Sequence, residues 1–243
     1  MKKVLITGAT SGIGRQIAID LAKNGYILTL VGRDDIKLKE LYNSMESQDN
    51  HKILNWDLTD FDSFDRQIES IDSLDGIVHS AGIWGNSLPV AFTKMADIQT
   101  VFNTNVFSII LLISKLSKAK KINRYASIVF LSSVAANYGV VGTLAYSMSK
   151  GALNSAVRVL ASEFSGKGVR VNAVAPGMVK TPMLEKISSK MTTAQIEKDI
   201  SDYLLGYGET TDVSNIVKFL LSQEESKWVT GSIINIDGGY KLR

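Results

Sequence analysis

A tyrosine and a lysine four residues apart carry the strongest chemical signal in this sequence. Tyr146 and Lys150 lie near the start of a helix predicted over Tyr146–Ser165. Residues i and i+4 share a helix face, so the phenol and the ammonium point the same way. A fixed cation lowers the pKa of a nearby phenol, which would suit the tyrosine for proton transfer. Taken alone, such a pair is also typical of an ordinary helix surface.

Two further polar groups fall where they could join this pair. Ser133 follows a predicted strand, and a hydroxyl at the end of a parallel strand can donate to a substrate carbonyl. Asn105 and Asn103 interrupt an otherwise apolar helix, where a buried amide needs a partner. The alternative for Asn105 is a structural amide that bonds to backbone groups. The combination is more specific than any of its members.

A glycine-rich turn joins the first predicted strand to the first helix. Glycines there allow positive φ and a close approach of the backbone to a phosphate, and a helix N-terminus attracts anions. The spacing differs from Gly-x-Gly-x-x-Gly, and the lysine of a P-loop is missing. A purely structural turn is the alternative. We predict that the turn binds a pyrophosphate through Gly8, Thr10, Ser11, Gly12, Ile13 and Gly14.

The end of the second predicted strand indicates which dinucleotide would bind. An acid there would accept from a ribose hydroxyl, whereas an arginine suits a 2′-phosphate. This chain has Arg33, which favours NADP(H) over NAD(H). Asp34 and Asp35 follow and weaken that case, but they are better explained as the start of the next helix. Asp57 and Leu58 follow the third strand, where Asp57 could contact adenine or cap a helix.

These residues require a framework of strands and helices, and the hydrophobic pattern supplies one. Short apolar runs alternate with segments of helical period along the whole chain, which predicts a doubly wound α/β fold with a parallel sheet. The predicted strands are Val4–Thr7, Ile27–Val31, Lys52–Asn55, Gly76–His79, Ser127–Leu131, Val169–Val174 and Ser232–Ile236. The predicted helices are Ile13–Asn24, Asp35–Ser47, Ser63–Ile71, Ala96–Lys120, Tyr146–Ser165 and Asp212–Leu221.

The stretch Thr181–Gly208 departs from this alternation. It is polar and is predicted to be an irregular excursion, of the kind that often forms a lid. No linker or repeat divides the chain, so we expect one domain over residues 1–243 with this segment as its lid.

The composition narrows the function classes. The chain has no cysteine, which excludes disulfides and thiolate chemistry and suits the cytoplasm. A net charge of +3 gives no reason to expect nucleic-acid binding. No run of about 20 apolar residues and no targeting signal is apparent, so no membrane association is expected. The basic run of Lys115, Lys118, Lys120, Lys121 and Arg124 is interpreted as the solvated end of a helix.

Together these residues resemble the short-chain dehydrogenase/reductase family over the whole chain. The landmarks are Thr7-Gly8-x-x-x-Gly12-x-Gly14, Asp57, Asn105, Ser133, Tyr146-x-x-x-Lys150, Pro176-Gly177 with Thr181, and Asp237-Gly238-Gly239. The resemblance implies a Rossmann-type fold with a seven-stranded sheet. It also implies a tetramer or dimer built through the helices Ala96–Lys120 and Tyr146–Ser165.

The resemblance further implies the role of each site residue. Tyr146 would be the acid in carbonyl reduction, Ser133 would polarise the carbonyl, and Lys150 would hold the nicotinamide ribose and lower the tyrosine pKa. Asn105 would hold a water in a proton relay behind Lys150. The cofactor would also contact Ala81, Gly82, Pro176, Gly177, Val179 and Thr181.

One motif departs from the family pattern. Where the family has Asn-Asn-Ala-Gly, this chain has His79-Ser80-Ala81-Gly82. The small residues beside the ribose are kept and the amides are lost, which questions the usual bracing of the central strand. We interpret His79 as standing in for an asparagine and not as a catalytic base.

The resemblance leaves the substrate open. The chain is most similar to 3-oxoacyl-[acyl-carrier-protein] reductases, and Arg124 and Lys167 occupy positions where those enzymes place basic residues near the carrier protein. A sugar or small-alcohol dehydrogenase is the rival within the family. A dinucleotide-binding protein without turnover is a further alternative. A hydrolase based on Ser133 is disfavoured, because the sequence lacks the Gly-x-Ser-x-Gly elbow.

Overall fold

Seven parallel strands form one sheet in the computed structural model, which describes residues 1–46, 50–189 and 191–242. The strand order is β3-β2-β1-β4-β5-β6-β7. The predicted Rossmann-type sheet is therefore confirmed. The strands are β1 (Lys3–Thr7), β2 (Ile27–Gly32), β3 (Lys52–Asn55), β4 (Leu74–His79), β5 (Ile122–Leu131), β6 (Arg170–Pro176) and β7 (Ile233–Ile236).

Helices cover both faces of the sheet, because most strands are apolar on both sides. One core cluster joins Ile77 and Phe130 to Leu112, Leu153 and Val157 of the helices on one face. The other cluster contains apolar residues of α1, α2 and α9. The helices are α1 (Gly12–Lys23), α2 (Asp35–Asn43), α3 (Phe64–Ser70), α4 (Met95–Phe102), α5 (Ser108–Lys118), α6 (Leu144–Phe164), α7 (Pro182–Ser188), α8 (Thr193–Ser201), α9 (Thr210–Leu221) and α10 (Gln223–Ser226).

The helix predicted over Ala96–Lys120 is interrupted. A π-helical turn, Asn103–Phe107, separates α4 from α5. The whole run Met95–Lys118 has the length and mean hydropathy, 1.4, of a membrane span, although the sequence suggested no such stretch. Its residues Ile109, Leu112 and Leu116 are fully buried in the core, as in the central helix of a globular domain.

The prediction that Thr181–Gly208 is irregular was wrong. The segment contains α7 and α8, and both begin with capping groups that the sequence displays. In α7, Thr181 precedes Pro182 and accepts from the N–H of Leu184. In α8, Thr192 forms a capping box with Gln195. The capping residues therefore indicate the two helices, although the apolar pattern of the segment is too weak to predict them.

Smaller differences concern the ends of elements. Helix α2 ends at Asn43, four residues before the predicted end at Ser47, which lies outside the described residues. Strand β5 begins at Ile122, five residues earlier than predicted, with an irregular register against β4. Tyr146 lies in the first turn of α6, as expected. Of the basic run, Lys115 and Lys118 close α5, and Lys115 pairs with Asp65 at 2.6 Å. Lys120 and Lys121 follow the helix and Arg124 lies in β5, so the run is not the end of one helix.

Candidate active site

The candidate site lies at the carboxyl edge of the sheet, where the strand order reverses between β1 and β4. Open α/β sheets bind ligands in the crevice at such a point. Two adjoining pockets occupy it, and five residues line both of them: Ile13, Ser80, Gly82, Thr181 and Met183. The crevice is therefore continuous from one pocket to the other.

The glycine turn forms the floor of the first pocket, here called the nucleotide pocket. Gly8 has φ +68°, and a Cβ placed on it would lie 2.6 Å from the Ala81 nitrogen. A Cβ on Gly14 would lie 2.3 Å from the Gly8 oxygen. A side chain at either position would displace backbone, so only glycine allows this packing. Gly14 does not line the pocket, and its role is to let α1 approach the turn.

The start of α1 fits an anionic group. Ser11 makes no side-chain capping bond to the helix among the described residues, so water or a ligand can take up the first N–H groups of α1. The pocket around this helix end also contains Thr10, Gly12 and Ile13. The residues present thus fit the pyrophosphate of a dinucleotide.

Arg33 stands exposed at the end of β2 and lines the nucleotide pocket. The two acids that follow it serve α2, as expected. Asp34 caps the helix by accepting from the N–H of Lys37, and Asp35 pairs with Lys39 at 2.6 Å. The Arg33 guanidinium is therefore available to a ligand in the pocket.

Asp57 and Leu58 line the same pocket beyond β3. The Oδ1 atom of Asp57 accepts from the N–H and the hydroxyl of Thr59, at 2.9 and 2.8 Å. These bonds, followed by the charge of Arg33, hold the pKa of Asp57 below its usual value against a smaller opposing effect of burial. Asp57 therefore forms a local turn with Thr59. It does not cap the helix that follows, which was the alternative role considered for it.

Ser133, Tyr146 and Lys150 converge on the second pocket, here called the substrate pocket. Ser133 follows β5 and accepts from the Ala135 N–H at 3.2 Å. The Lys150 ammonium lies 5.6 Å from the centre of the Tyr146 ring and donates to the Leu131 carbonyl at 2.6 Å. The three residues that were predicted to act together are thus brought together.

The titration of these groups differs from the expectation. Burial raises the pKa of Tyr146 to about 12, and a hydrogen bond with Ser133 opposes this only in part. Burial also lowers the pKa of Lys150 to about 8. The side chains by themselves therefore keep Tyr146 protonated, as a general acid must be.

Asn105 lies in the π-helical turn, completely buried, and lines neither pocket. Its Oδ1 accepts from the Ile83 N–H at 2.8 Å, and its Nδ2 donates to the Ile83 carbonyl and to the Ser149 hydroxyl, both at 3.0 Å. The Asn105 side chain is therefore a structural amide that bonds to neighbouring groups. A proton relay through Asn105 would have to use its backbone.

The remaining cofactor-contact predictions cluster at the junction of the pockets. Ala81 lines the nucleotide pocket and Gly82 lines both. A Cβ on Gly82 would lie 3.5 Å from the Lys150 ammonium. The substrate side of the junction is lined by Pro176, Gly177, Val179 and Thr181.

Three residues of the substrate pocket, Trp84, Asp199 and Tyr240, were not singled out from the sequence, whereas Tyr203 was expected as part of the aromatic surface of the lid. The Trp84 ring lies 4.5 Å from that of Tyr146 at 33°, and its Nε1 donates to Ser87. The rings of Tyr203 and Tyr240 stack at 4.6 Å, and Asp199 also lines the pocket. No local signal marks these residues, because loops and α8 bring them together from distant segments.

Arg124 and Lys167 lie away from this site. Arg124 is near the start of β5 and Lys167 precedes β6, whereas the pockets are at the carboxyl ends of the same strands. Arg124 lies over the Tyr125 ring at 5.6 Å. They therefore do not border the pocket of their own chain.

The comparisons with known proteins agree with this geometry. A family model described as enoyl-(acyl carrier protein) reductase matches residues 8–241. The 3-oxoacyl-[acyl-carrier-protein] reductase FabG of Rickettsia felis is 35% identical over 239 residues, which are 98% of this chain and 96% of that protein. The chain belongs to the short-chain dehydrogenase/reductase family.

Two other relatives bear on cofactor and substrate. The glucose 1-dehydrogenase of Gluconobacter oxydans is 32% identical over 256 residues, 99% of this chain and 92% of that protein. A solved structure described as ElxO with NADP bound covers all of both chains at 30% identity and a TM-score of 0.87. This family member is accordingly an oxidoreductase that uses NAD(P).

Proposed function

We propose that this protein is an NADPH-dependent reductase of 3-oxoacyl thioesters, in solution or carried on an acyl-carrier protein. The observation that carries the proposal is the continuous crevice that leads from Arg33 and the glycine turn to Tyr146. A dinucleotide lying along it would present its reactive end beside the tyrosine hydroxyl. The FabG relatives support this substrate class.

The proposed chemistry divides between the side chains. Bound NADPH would supply the hydride. Ser133 would donate to the substrate carbonyl oxygen, and Tyr146 would transfer its proton to that oxygen as the alcohol forms. Lys150 would hold the nicotinamide ribose and stabilise the phenolate left behind, because a nearby cation favours the charged form of a phenol. Asn105 would contribute through its backbone carbonyl to the return of a proton.

Arg33 supports the preference for NADPH. A guanidinium forms charge-assisted hydrogen bonds with a phosphate, and the neighbouring acids are engaged in α2. A preference for NADPH would in turn favour reduction over oxidation.

We also propose that Thr181–Gly208 acts as the substrate lid. Met183, Leu184 and Ile187 of α7 line the substrate pocket, whereas the described residues of α8 include none that is fully buried. An apolar helix over the pocket and a loosely packed one behind it suit a segment that admits an acyl chain and closes over it.

The assembly and location belong to the same proposal. Exposed apolar side chains lie along α5 and α6 and the turn before α5: Phe107, Ile110, Met148 and Val159. They would be covered in a homotetramer or homodimer formed through these helices. We place the protein in the cytoplasm as a soluble enzyme.

A sugar dehydrogenase is the second candidate, because the Asp199 carboxylate lines the substrate pocket and could accept from sugar hydroxyls. Absorbance at the nicotinamide band separates the two. We expect NADPH oxidation with a short acetoacetyl thioester and little NADP⁺ reduction with glucose. Turnover of glucose alone would replace the first candidate by the second, and tight cofactor binding without any turnover would favour a non-catalytic protein.

A further inference from the structure

His79 is a fully buried histidine that the proposed chemistry does not use. It is the last residue of β4, and strand alternation places it on the same face as Ile77, which packs in the core cluster with α5 and α6. Its ring meets Phe130 of β5 edge to face at 6.2 Å. The side chain therefore points between the sheet and the helices that carry Asn105 and Lys150.

The hydrogen bonds around His79 define its tautomer. Its Nδ1 lies 2.8 Å from the Thr7 hydroxyl, and that hydroxyl also accepts from the Ala81 N–H at 3.2 Å. Because Thr7 already accepts one bond, its own proton is best directed at Nδ1. The second nitrogen, Nε2, then carries the hydrogen of the ring.

The Nε2 atom is buried and has no partner at bonding distance in the part of the chain that the structure describes. The Asn105 backbone lies close enough to favour the protonated ring, whereas burial and the charge of Lys150 oppose it. Since only an acceptor favours the protonated ring, the Asn105 group concerned is its carbonyl. A buried donor of this kind calls for an acceptor. The carbonyl of the π-helical turn is the group placed to serve.

These contacts form one buried path across the site. It runs from Thr7, next to Gly8 of the nucleotide pocket, through His79 to Asn105. From there the Asn105 amide donates to Ser149, which precedes Lys150 in α6. The glycine turn and the helix of the catalytic pair are thereby joined through side chains.

We propose that His79 is a positioning residue, which uses Nδ1 to hold Thr7 and Nε2–H to hold the Asn105 carbonyl. It would fix the π-helical turn, and with it Ser149 and Lys150, relative to the glycine turn. The proposal rests on the proposed function only for the consequence for turnover.

Two substitutions separate hydrogen bonding from packing. His79→Asn loses the ring but keeps an acceptor for Thr7 and a donor for Asn105, and asparagine is the residue that the family has here. His79→Phe keeps a ring and loses both hydrogen bonds. We expect kcat to fall about tenfold in His79→Phe and by less than about threefold in His79→Asn, with the KM for the thioester little changed.

His51, the second histidine of the chain, provides the matched control. It is also buried, and both ring nitrogens are bonded, to the Leu28 N–H and to the Glu46 carbonyl. It lies beside β2 and β3, away from the pockets. His51→Phe should lower the melting temperature, whereas its kcat, measured at 25 °C or below, should equal that of the wild type.

The decisive readings do not all depend on turnover. With imidazole ¹⁵N labelling, His79 should give the spectrum of a neutral Nε2–H tautomer, and NADPH affinity should fall in His79→Phe but not in His79→Asn. If His79→Phe matched the wild type in kcat and NADPH affinity, or if Nδ1 carried the proton, the proposal would be overturned. If the wild type reduced no carbonyl, the proposed function would be wrong. The tautomer of His79 and the NADPH affinities of its variants would still test the positioning role.

Discussion

The nucleotide pocket and the substrate pocket meet in one crevice but are built by different means. The first is shaped by backbone: the glycine turn, the start of α1 and the ends of β1, β2 and β4. The second is shaped by large side chains, among them Trp84, Tyr203 and Tyr240. Backbone packing admits few residue types, whereas a side-chain wall can be made in many ways. The difference explains why cofactor use follows from the sequence more directly than substrate choice does.

The sharpest test of the backbone side is Gly8→Ala. The added Cβ would meet the Ala81 nitrogen at 2.6 Å in a residue with φ +68°. Overpacking costs about 1–3 kcal/mol and a left-handed backbone about 1–2 kcal/mol, so NADPH affinity should fall about 100-fold or more. Gly25→Ala is the control, because Gly25 has φ +76° with nothing within 4 Å of the added atom. Equal losses in the two variants would show that the contact with Ala81 has no role.

The side-chain wall is tested by Trp84→Ala. Loss of the indole beside Tyr146 should raise KM for the thioester about tenfold and lower kcat less, since the ring shapes the pocket and carries no proton. Steady-state kinetics with a series of acyl chains would measure this. Trp228→Ala is the control, because Trp228 is 95% exposed and lines neither pocket. An unchanged KM in Trp84→Ala would contradict the assigned wall.

A change of similar size should follow Arg33→Ala at the far end of the nucleotide pocket. NADPH affinity should fall about tenfold while NADH affinity stays the same, because only the phosphate contact is lost. Fluorescence titration with both nucleotides would show it. Arg66→Ala, on the exposed side of α3, should change neither affinity. An equal loss of affinity for NADPH and NADH would show that Arg33 attracts both nucleotides and does not select the one with a 2′-phosphate.

The stability of the protein should also depend on pH. Burial lowers the pKa of His79 to about 3, so the unfolded chain binds this proton first as the pH falls. The stabilisation is complete above the ordinary histidine pKa of about 6.5, and about 2 kcal/mol of it should be lost between pH 7 and pH 5. His51, whose pKa burial also lowers, acts in the same direction.

Urea unfolding at the two pH values measures this loss. His79→Asn should retain only the part that belongs to His51, since asparagine does not titrate. The carboxyl groups with lowered pKa, such as Asp57 and Asp72, should weaken the fold only below about pH 4. A pH dependence unchanged by His79→Asn would contradict the buried, neutral state of His79.

The seven-stranded parallel sheet and the residues of the glycine turn could be predicted from the sequence. Each of these has a local cause that leaves a mark in the sequence. Apolar runs predict the strands, and a turn that excludes a Cβ at Gly8 and Gly14 requires glycine. The spacing of Tyr146 and Lys150 likewise follows from one helical turn.

The wall of the substrate pocket, the π-helical turn and the tyrosine pKa could not be predicted, because they depend on contacts between distant segments. Trp84 reaches Tyr146 across 62 positions, and nothing near Trp84 in the sequence indicates it. The π-helical turn holds Asn105 where its side chain bonds to the Ile83 backbone, a contact that helical periodicity does not contain. The tyrosine pKa was misjudged for a related reason, because burial by the surrounding segments raises it and the hydrogen bond with Ser133 opposes this only in part.

The most direct test of the central claim compares the wild type with Tyr146→Phe. NADPH affinity is measured by fluorescence, and NADPH oxidation with acetoacetyl thioester by absorbance. We expect NADPH affinity to stay within about threefold while kcat falls by a factor of about 100 to 10,000, the usual contribution of a general acid. Normal turnover in Tyr146→Phe would contradict the assignment of the proton donor and the mechanism built on it.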